Sequence, residues 1–392
     1  RVRSRRARSF TPRARVEPMI LFSAFAATLD ADFAAFEAKH GRRYASEAER
    51  EYRRAAFAEN AAFVAAHNSV SSAPYTLALN HWADRTAAEL GLRPRPEPGA
   101  PASLLQAAEG AALPERLRNR KRRGRRRKRV RITPGANRDF RERSRADAEP
   151  EVPPLRFVLP PHASAPAAVD WRDKGMVSGP RNQGECGACY AIVTAGAVEA
   201  AAAIGSGAAL VPLSPQSIVD CSGNASVGAS ARDAGNHGCV GGGIVRGFNY
   251  ALRNGGVATE EAYPDRLEEN APGNCSYARA DVAGRISGYV NVSANATLLR
   301  YAVAQNPVAT AVDAHHRSFL FYESGVYRSA ECTQEVTHGV LVVGYGTDDD
   351  GTPYFVLKNS WSEFWGDDGY MRIAATPEGM CGLGSEAYFP VL

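Results

Sequence analysis

The spacing of apolar and polar residues along the chain predicts helices in two different environments. Between residues 49 and 68, apolar and amide side chains recur every three or four positions, which places them on one face of an amphipathic helix. Residues 191–199 are instead apolar and Ala-rich, which is typical of a buried helix. Apolar runs at 307–313, 340–345 and 354–357 predict strands in the C-terminal part of the chain.

Two stretches lack this periodicity. Residues 1–18 are Arg-rich, and residues 19–27 are either a short signal h-region or an ordinary N-terminal segment. Residues 91–164, rich in Pro, Ala and Arg, predict a low-complexity connector. Within it, residues 116–131 carry twelve Lys and Arg side chains. This block is a processing site, a tether to a polyanion or membrane surface, a nuclear address, or a solvated linker without a role.

The net charge of +5 is divided unevenly between the two parts of the chain. Residues 1–164 carry 33 basic and 18 acidic side chains, whereas residues 165–392 carry 14 and 24. We expect the two parts to attract each other, and this attraction weakens where carboxylates protonate. No apolar run has the length of a transmembrane helix, so none is predicted.

The cysteines indicate an oxidising compartment. All seven lie after residue 185, and six of them form three disulfides if one stays free. Their spacing leaves the pairing open. Four Asn-X-Ser/Thr acceptors agree with secretion, namely Asn224, Asn274, Asn291 and Asn295.

The candidate chemistry lies in residues 183–190, Gln-Gly-Glu-Cys-Gly-Ala-Cys-Tyr. Cys189 directly precedes the buried helix, where free N–H groups and the helix dipole stabilise a thiolate and lower the pKa of the thiol. Taken alone, Cys189 could be an inert buried thiol. A nucleophilic thiolate needs a base and a group that orients the base. His338 before one predicted strand and Asn359 after another supply both.

These motifs resemble those of papain-family cysteine proteases of the cathepsin L-like type. Residues 186–190 satisfy the family's nucleophile signature, and residues 337–346 and 358–361 resemble its His and Asn motifs. The upstream helix face resembles the ERFNIN propeptide motif through Glu49, Arg53, Phe57, Asn60, Val64 and Asn68. Residues 78–84 resemble the Gly-x-Asn-x-Phe-x-Asp motif that follows it.

The resemblance implies an α+β, papain-like two-domain fold. A helical left domain and a β-barrel-like right domain are expected in residues 165–392, the peptidase domain. An inhibitory propeptide at 30–90 and the connector at 91–164 would precede it, after an N-terminal segment at 1–29. The implied function is that of a cysteine endopeptidase zymogen whose propeptide blocks the active-site cleft.

The resemblance also assigns roles to residues. Cys189 would be the nucleophile, His338 its base and Asn359 the group that orients His338, with Trp361 shielding their hydrogen bond. The Gln183 amide would bind the oxyanion, and neither a metal nor a cofactor is implied. The implied disulfides are Cys186–Cys239, Cys221–Cys275 and Cys332–Cys381.

Besides Trp361, four further residues are expected to contact substrate. Gly241 and Gly242 would let the substrate backbone come close, and Gly242 would pair with it as an added strand does. Val336 and Glu386 would line the pocket for the second residue before the cut. There, the carboxylate would accept Arg as well as Phe or Leu. The alternative is an exposed Glu386 outside the pocket.

The chain departs from the family pattern at several positions. Tyr190, Ile192 and Ser362 replace the usual Trp, Phe and Gly, and residues 222–238 include an inserted loop. His315 and His316 do not match the occluding-loop histidines of cathepsin B, so we predict surface histidines.

The expected partners are polypeptide substrates, the chain's own propeptide and cystatin-like inhibitors, and no nucleic acid. We expect a monomer that enters the secretory pathway and acts in a lysosome, in a vacuole or outside the cell. Two rival functions remain. One is a catalytically retired peptide-binding relative, and the other is an exopeptidase with one end of the cleft blocked.

Overall fold

The computed structural model describes residues 18–92, 152–159, 163–223, 236–270, 273–276, 282–292 and 295–392, and of residues 18–27 only the backbone. The basic block at 116–131, Asn224 and most of the 222–238 insertion lie outside these ranges. Their roles stay predictions.

The described residues form helices first and mainly strands afterwards. The helices are α1 (Pro18–Lys39), α2 (Glu47–Asn68), α3 (Cys189–Ser206), α4 (Pro215–Cys221), α5 (Ile244–Asn254), α6 (Ala296–Val303) and α7 (Arg317–Leu320). The strands are β1 (Tyr75–Leu77), β2 (Leu155–Arg156), β3 (Val169–Asp170), β4 (Val257–Ala258), β5 (Val282–Ala283), β6 (Gly288–Asn291), β7 (Val308–Val312), β8 (Tyr322–Tyr327), β9 (His338–Thr347), β10 (Pro353–Lys358), β11 (Tyr370–Ala374) and β12 (Ala387–Val391). The helices predicted from residues 49–68 and 191–199 are present as α2 and part of α3.

One mixed sheet organises most of the strands. Its order is β1-β8-β11-β10-β9-β7-β12-β6-β2, and β3 joins it beside β9. The neighbours are antiparallel except for the parallel pairs β8–β11 and β2–β6. Both outermost strands, β1 and β2, come from residues ahead of position 163, whereas every strand between them comes from residues 163–392, here called the main domain.

Helix α3 is the buried centre of the helical part of the main domain. Most of its residues are buried, and α4 and α5 pack beside it in one apolar cluster. By length and composition its 18 residues could cross a membrane, so our expectation that no run was long enough is wrong. Because 72% of that helix is buried inside the protein, it is a core helix.

Upstream of the main domain, residues 18–92 form a helical module. Ser46 caps α2 by accepting from the Glu49 N–H, an interaction that typically contributes about 1 kcal/mol. The buried side chain of Asn60 donates to the carbonyls of Ala83 and Arg85 at 2.8 and 2.9 Å. This amide of the ERFNIN face thus fixes the segment after β1 against α2.

The helical module docks on the β8 end of the sheet. β1 pairs antiparallel with β8, and the Ala78 N–H donates to the Phe321 carbonyl at 2.8 Å. The buried Asn80 amide donates to the Leu320 carbonyl at 2.7 Å. Asn80 belongs to the second propeptide motif, which therefore contacts the main domain directly.

Three disulfides join loops of the main domain. They link Cys186 to Cys239, Cys221 to Cys275 and Cys332 to Cys381, the pairs that the resemblance implies. The seventh cysteine, Cys189, is free and buried.

Candidate active site

Cys189 is the first residue of α3 and lies against the strand that carries His338. His338 opens β9 and is paired with Val312 of β7. Next to it, Gly339 has no side chain, and a Cβ added there would lie 3.3 Å from the Cys189 carbonyl oxygen and 3.5 Å from its Cβ. A larger residue at 339 would hold the strand away from the helix N-terminus, so this glycine allows the close approach.

A hydrogen bond fixes the orientation of the His338 ring. The Nε2 atom lies 2.7 Å from the Asn359 Oδ1 atom, which also accepts the Ser360 N–H at 2.7 Å. Because Oδ1 is an acceptor, Nε2 carries the proton and Nδ1 has a free lone pair. Among the described residues, the buried Nδ1 has no hydrogen-bond partner. His338 is therefore held in the tautomer that can accept a proton from a neighbouring thiol.

Trp361 covers the His338–Asn359 hydrogen bond. Its ring stacks on the His338 ring with centroids 4.7 Å apart and planes inclined by 25°. Both rings are buried, and on its other side Trp361 meets Trp82 of the helical module edge to face at 4.8 Å. The helical module thus covers the tryptophan that shields the candidate base.

The protonation states in this closed arrangement differ from the sequence-based prediction. Burial raises the pKa of the Cys189 thiol to about 11. Nearby backbone N–H groups lower this pKa, but by less than burial raises it. Burial likewise lowers the pKa of His338 to about 4. The prediction of a low-pKa thiolate is wrong for this state, because loss of hydration outweighs the helix N-terminus. A neutral thiol and a neutral imidazole are favoured here.

The Gln183 side chain is held in place by hydrogen bonds at both of its ends. Its Nε2 donates to the Cys186 carbonyl at 2.7 Å, and its Oε1 accepts from the Ser360 hydroxyl. One hydrogen of an amide NH₂ group satisfies the first bond, so the second is available for a substrate oxygen. The N–H of Cys189 also lacks an intrahelical acceptor because it begins α3.

The predicted substrate glycines lie close to the start of α3. Gly241 has a φ of 129°, and a Cβ on Gly242 would meet the Asn236 side chain at 2.2 Å and the Tyr190 ring at 2.9 Å. The buried Asn236 accepts the Gly243 N–H at 2.9 Å. The sequence analysis missed Asn236, because it ends the inserted loop without a motif of its own.

The other two predicted pocket residues lie in or against the segment that precedes β12. Val336 is buried, and a Cβ on Gly382 would meet its Cγ1 at 2.8 Å. Glu386 is half-buried, directly precedes β12, and contributes to raising the pKa of the Tyr388 phenol, which is raised mainly by burial. Tyr388 packs against the apolar cluster that contains Val336.

The predicted surface position of the adjacent histidines is wrong for His315. It is only 8% exposed, and its N–H donates to the Asp313 carboxylate at 3.2 Å. His316 is half-buried and lies 2.9 Å from the same carboxylate. β7 pairs with the start of β9, where His338 lies. His315 follows shortly after β7 and is therefore close enough to His338 to affect its pKa. Two adjacent polar residues give no periodic signal that would reveal this burial.

Two departures from the family pattern have a visible structural basis. Tyr190 is fully buried, and its hydroxyl donates to the Gly238 carbonyl at 3.3 Å. Ser362 has a φ of 66°, a conformation that costs a non-glycine residue about 1–2 kcal/mol. Its N–H donates to the Arg181 carbonyl at 3.0 Å, which ties the Trp361 loop to the segment before Gln183.

The predicted glycosylation sites differ in their surroundings. Asn274 and Asn295 are exposed, and the Asn295 side chain caps α6. Asn291 is half-buried within β6, between β12 and β2. Exposure therefore favours Asn274 and Asn295 as acceptors over Asn291.

Comparison with known proteins identifies two matching families. The papain family cysteine protease profile matches residues 165–391, and the cathepsin propeptide inhibitor domain (I29) profile matches residues 33–90.

Curated relatives and solved structures are similar over most of the chain. Cysteine proteinase EP-B 1 of Hordeum vulgare is 35% identical over 352 residues, 88% of this chain and 79% of the relative. Cathepsin L of Sarcophaga peregrina is 38% identical over 239 residues, 60% of this chain and 67% of the relative. Procathepsin L 3 from the Tenebrio molitor larval midgut superimposes with a TM-score of 0.70 at 28% identity, covering 93% of this chain and 99% of that one. The recombinant stem bromelain precursor gives 0.71 at 27% identity, with 93% coverage of this chain. These precursors confirm the predicted α+β fold with a helical upstream region.

Proposed function

The chain belongs to the papain family of cysteine proteases, and from that premise we propose that it is an endopeptidase zymogen in which Cys189 and His338 perform the chemistry. The match to a cathepsin propeptide inhibitor domain makes it a cysteine peptidase produced as an inactive precursor. One observation carries the assignment of residues. The His338–Asn359 hydrogen bond leaves Nδ1 unprotonated, and the next residue of the strand, Gly339, lies close to the free cysteine at the start of α3.

The first half of the reaction forms a thioester. When the helical module leaves and water enters, the proton of the Cys189 thiol moves to His338 Nδ1 and gives a thiolate–imidazolium pair. The sulfur attacks the scissile carbonyl carbon, and the carbonyl electron pair moves onto the oxygen. The Gln183 amide and the Cys189 N–H donate to that oxyanion. The C–N bond then breaks, and His338 gives its proton to the leaving amine.

The second half releases the acyl product. His338 Nδ1 takes a proton from water, whose oxygen attacks the thioester carbon. The C–S bond breaks, the acid product leaves and the thiolate–imidazolium pair is restored. Asn359 keeps the ring oriented through both proton transfers. Every step uses protein groups and water.

Substrate selection would involve the two glycines and the half-buried glutamate. Gly242 would pair with the substrate backbone, with Gly241 beside it. Glu386 would accept an Arg side chain as the second residue before the cut, and Val336 would contact its apolar stem.

The proposed precursor has four parts: an N-terminal segment at 1–29, the propeptide at 30–90, the connector at 91–164 and the peptidase domain at 165–392. The proposed enzyme is a monomer that cystatin-like inhibitors bind. Three disulfides support an oxidising compartment. We propose passage through the secretory pathway to a lysosome, a vacuole or the cell exterior.

The test is hydrolysis of Phe-Arg and Arg-Arg fluorogenic peptides at about pH 5 after acid activation. Cys189→Ala should abolish cleavage of both peptides. Glu386→Gln should selectively reduce Arg-Arg cleavage, because it removes the charge while keeping the shape. Equal loss on both peptides would remove Glu386 from the pocket but leave the nucleophile assigned.

A retired peptide-binding relative would behave differently. A thiol-directed epoxide would label Cys189 stoichiometrically in a correctly processed chain, yet neither peptide would be cleaved. That result would overturn the proposed endopeptidase activity.

A further inference from the structure

The β6 end of the sheet is occupied by a strand from the connector. β2 pairs in parallel with β6, and the Phe157 N–H donates to the Asn291 carbonyl at 3.1 Å. Upstream, the Tyr289 hydroxyl donates to the Val152 carbonyl at 2.8 Å. The predicted low-complexity connector therefore includes a segment that adds a strand to the main domain.

One side chain anchors this segment. Phe157 is half-buried against the core, and its ring meets the Phe389 ring edge to face at 5.8 Å. The apolar side chains of Leu155 and Val158 are instead exposed, by 57% and 76%. The main domain thus binds this segment as an extended peptide, through the peptide backbone and one aromatic side chain.

The segment is anchored independently of the helical module. Downstream, the Tyr301 hydroxyl donates to the Ala163 carbonyl and Arg300 donates to the Pro166 carbonyl, at 2.9 and 2.8 Å. The helical module instead binds the opposite end of the sheet, where β1 pairs with β8. Seven strands separate β1 from β2 in the sheet. Release of the module at β8 therefore breaks none of the contacts at β6.

We propose that the β6 edge together with Phe389 is a strand-docking site separate from the catalytic cleft, and that residues 152–158 occupy it before and after the helical module leaves. The ligand class is an extended peptide in parallel register with an aromatic anchor. Pro153 and Pro154 precede the strand and lack N–H groups, so this segment ends the sheet without offering a regular edge for further strands.

Trypsin sensitivity of the Arg156–Phe157 bond tests the docking directly. The full chain is digested in the presence of a thiol-directed epoxide, so the outcome does not depend on its own peptidase activity. A docked strand resists cleavage because a protease needs the backbone free. In wild type, the fragment that carries the main domain should still include residues 152–158, with this bond intact. Phe157→Ala should accelerate its cleavage about tenfold or more, and the matched Val158→Ala control should not.

A second measurement follows the segment after the helical module has gone. The trypsin-treated chain is acidified, the module is removed by size exclusion, and hydrogen exchange is read at the Phe157 amide. This amide should remain protected. Rapid exchange, or equal cleavage rates for wild type and Phe157→Ala, would overturn the proposal. The exchange measurement uses the wild-type chain, so it decides the question even if Phe157→Ala misfolds.

Discussion

At the scale of single residues, the Asn359 side chain decides which nitrogen of His338 is free to accept a proton. Its Oδ1 accepts from both Nε2 and the Ser360 N–H, so it cannot exchange roles with a donor. This bond is short and buried beneath Trp361, which keeps water from competing for it.

Asn359→Ala should therefore reduce kcat/KM by about 10²-fold, because the imidazole loses its orientation. The measurement is steady-state hydrolysis of the Phe-Arg peptide after activation. Asn254→Ala serves as the control, since Asn254 lies at the end of α5 and donates only to the Gly256 carbonyl. An unchanged kcat/KM in Asn359→Ala would contradict the assigned role.

Gln183→Ala should lower kcat by about 10²–10³-fold and leave KM nearly unchanged. The amide would contact the oxygen only after it becomes an anion, so its loss raises the barrier without weakening substrate binding. Gln305→Ala, at an exposed position after α6, should have no effect. A rise in KM alone would instead identify Gln183 as a substrate-binding group.

At the scale of elements, the segment between β1 and residue 92 links the helical module to the active site. The His81 and Trp82 rings have centroids 4.2 Å apart with planes inclined by 48°, and Trp82 in turn contacts Trp361. His40, at the C-terminal end of the module's first helix, contacts Phe364 of the main domain at 6.0 Å. Two histidines thus lie at the interface that must open during activation.

Trp82→Ala should speed activation at neutral pH. Removing a buried Trp typically costs about 3–5 kcal/mol, and here the lost contacts join the module to the main domain. The rate of appearance of Phe-Arg cleavage measures the effect, and we expect an increase of at least about tenfold. Tyr52→Ala, on the half-buried face of α2, should change the rate little.

Acid should weaken the docked module partly through His81. Burial, together with the smaller effects of the charges of Arg42, His40 and Arg85, lowers the His81 pKa to about 3. Since the folded pKa lies below 6.5, the unfolded state binds more protons, and stability falls as pH drops from about 6.5 towards 3.

The expected loss from His81 is about 2 kcal/mol between pH 6.5 and pH 5. Urea unfolding of the zymogen at both pH values measures this difference, and His81→Gln should reduce it. The control is His67→Gln, because the His67 ring contacts the Tyr75 carbonyl and ring within the module. This variant should show the same pH difference as wild type. An identical pH dependence in His81→Gln and wild type would exclude His81 as a contributor.

At the scale of the whole molecule, only some ion pairs between the upstream part and the main domain follow the charge asymmetry of the sequence. Among the described residues, Arg85 of the basic upstream part lies 3.7 Å from Glu185 of the acidic main domain, as the asymmetry predicts. Arg317 of the main domain lies 2.6 Å from Glu59, in the opposite sense. Both carboxylates are well exposed, so each pair contributes at most about 1 kcal/mol.

High salt should therefore change the free energy of unfolding of the zymogen by no more than about 2 kcal/mol relative to low salt. Urea titrations at the two salt concentrations provide the check. A larger loss of stability would show that long-range attraction between the two parts matters more than these pairs.

The sequence predicted those features that depend on local pattern. Periodicity located α2, α3 and the main strands. The motifs singled out Cys189, His338 and Asn359, and the structure joins His338 to Asn359 by a hydrogen bond and places Gly339 close to Cys189. The sequence analysis missed β2, because a two-residue strand between prolines has no periodicity and its partner β6 is more than 130 residues away. It also missed the burial of His315 and the raised thiol pKa, since both depend on tertiary contacts that remove water.

The burial of Cys189 also bears on how this protein withstands oxidants. A thiol is oxidised to sulfenic acid through its thiolate, and further oxidation is irreversible. In the precursor, the raised pKa of Cys189 and its 1% exposure keep the thiolate scarce and out of reach. The same chain can thus mature where its six other cysteines form disulfides while the seventh stays reduced. Once the helical module departs, the sulfur becomes susceptible to peroxide, so the lifetime of the active enzyme would depend on its redox surroundings.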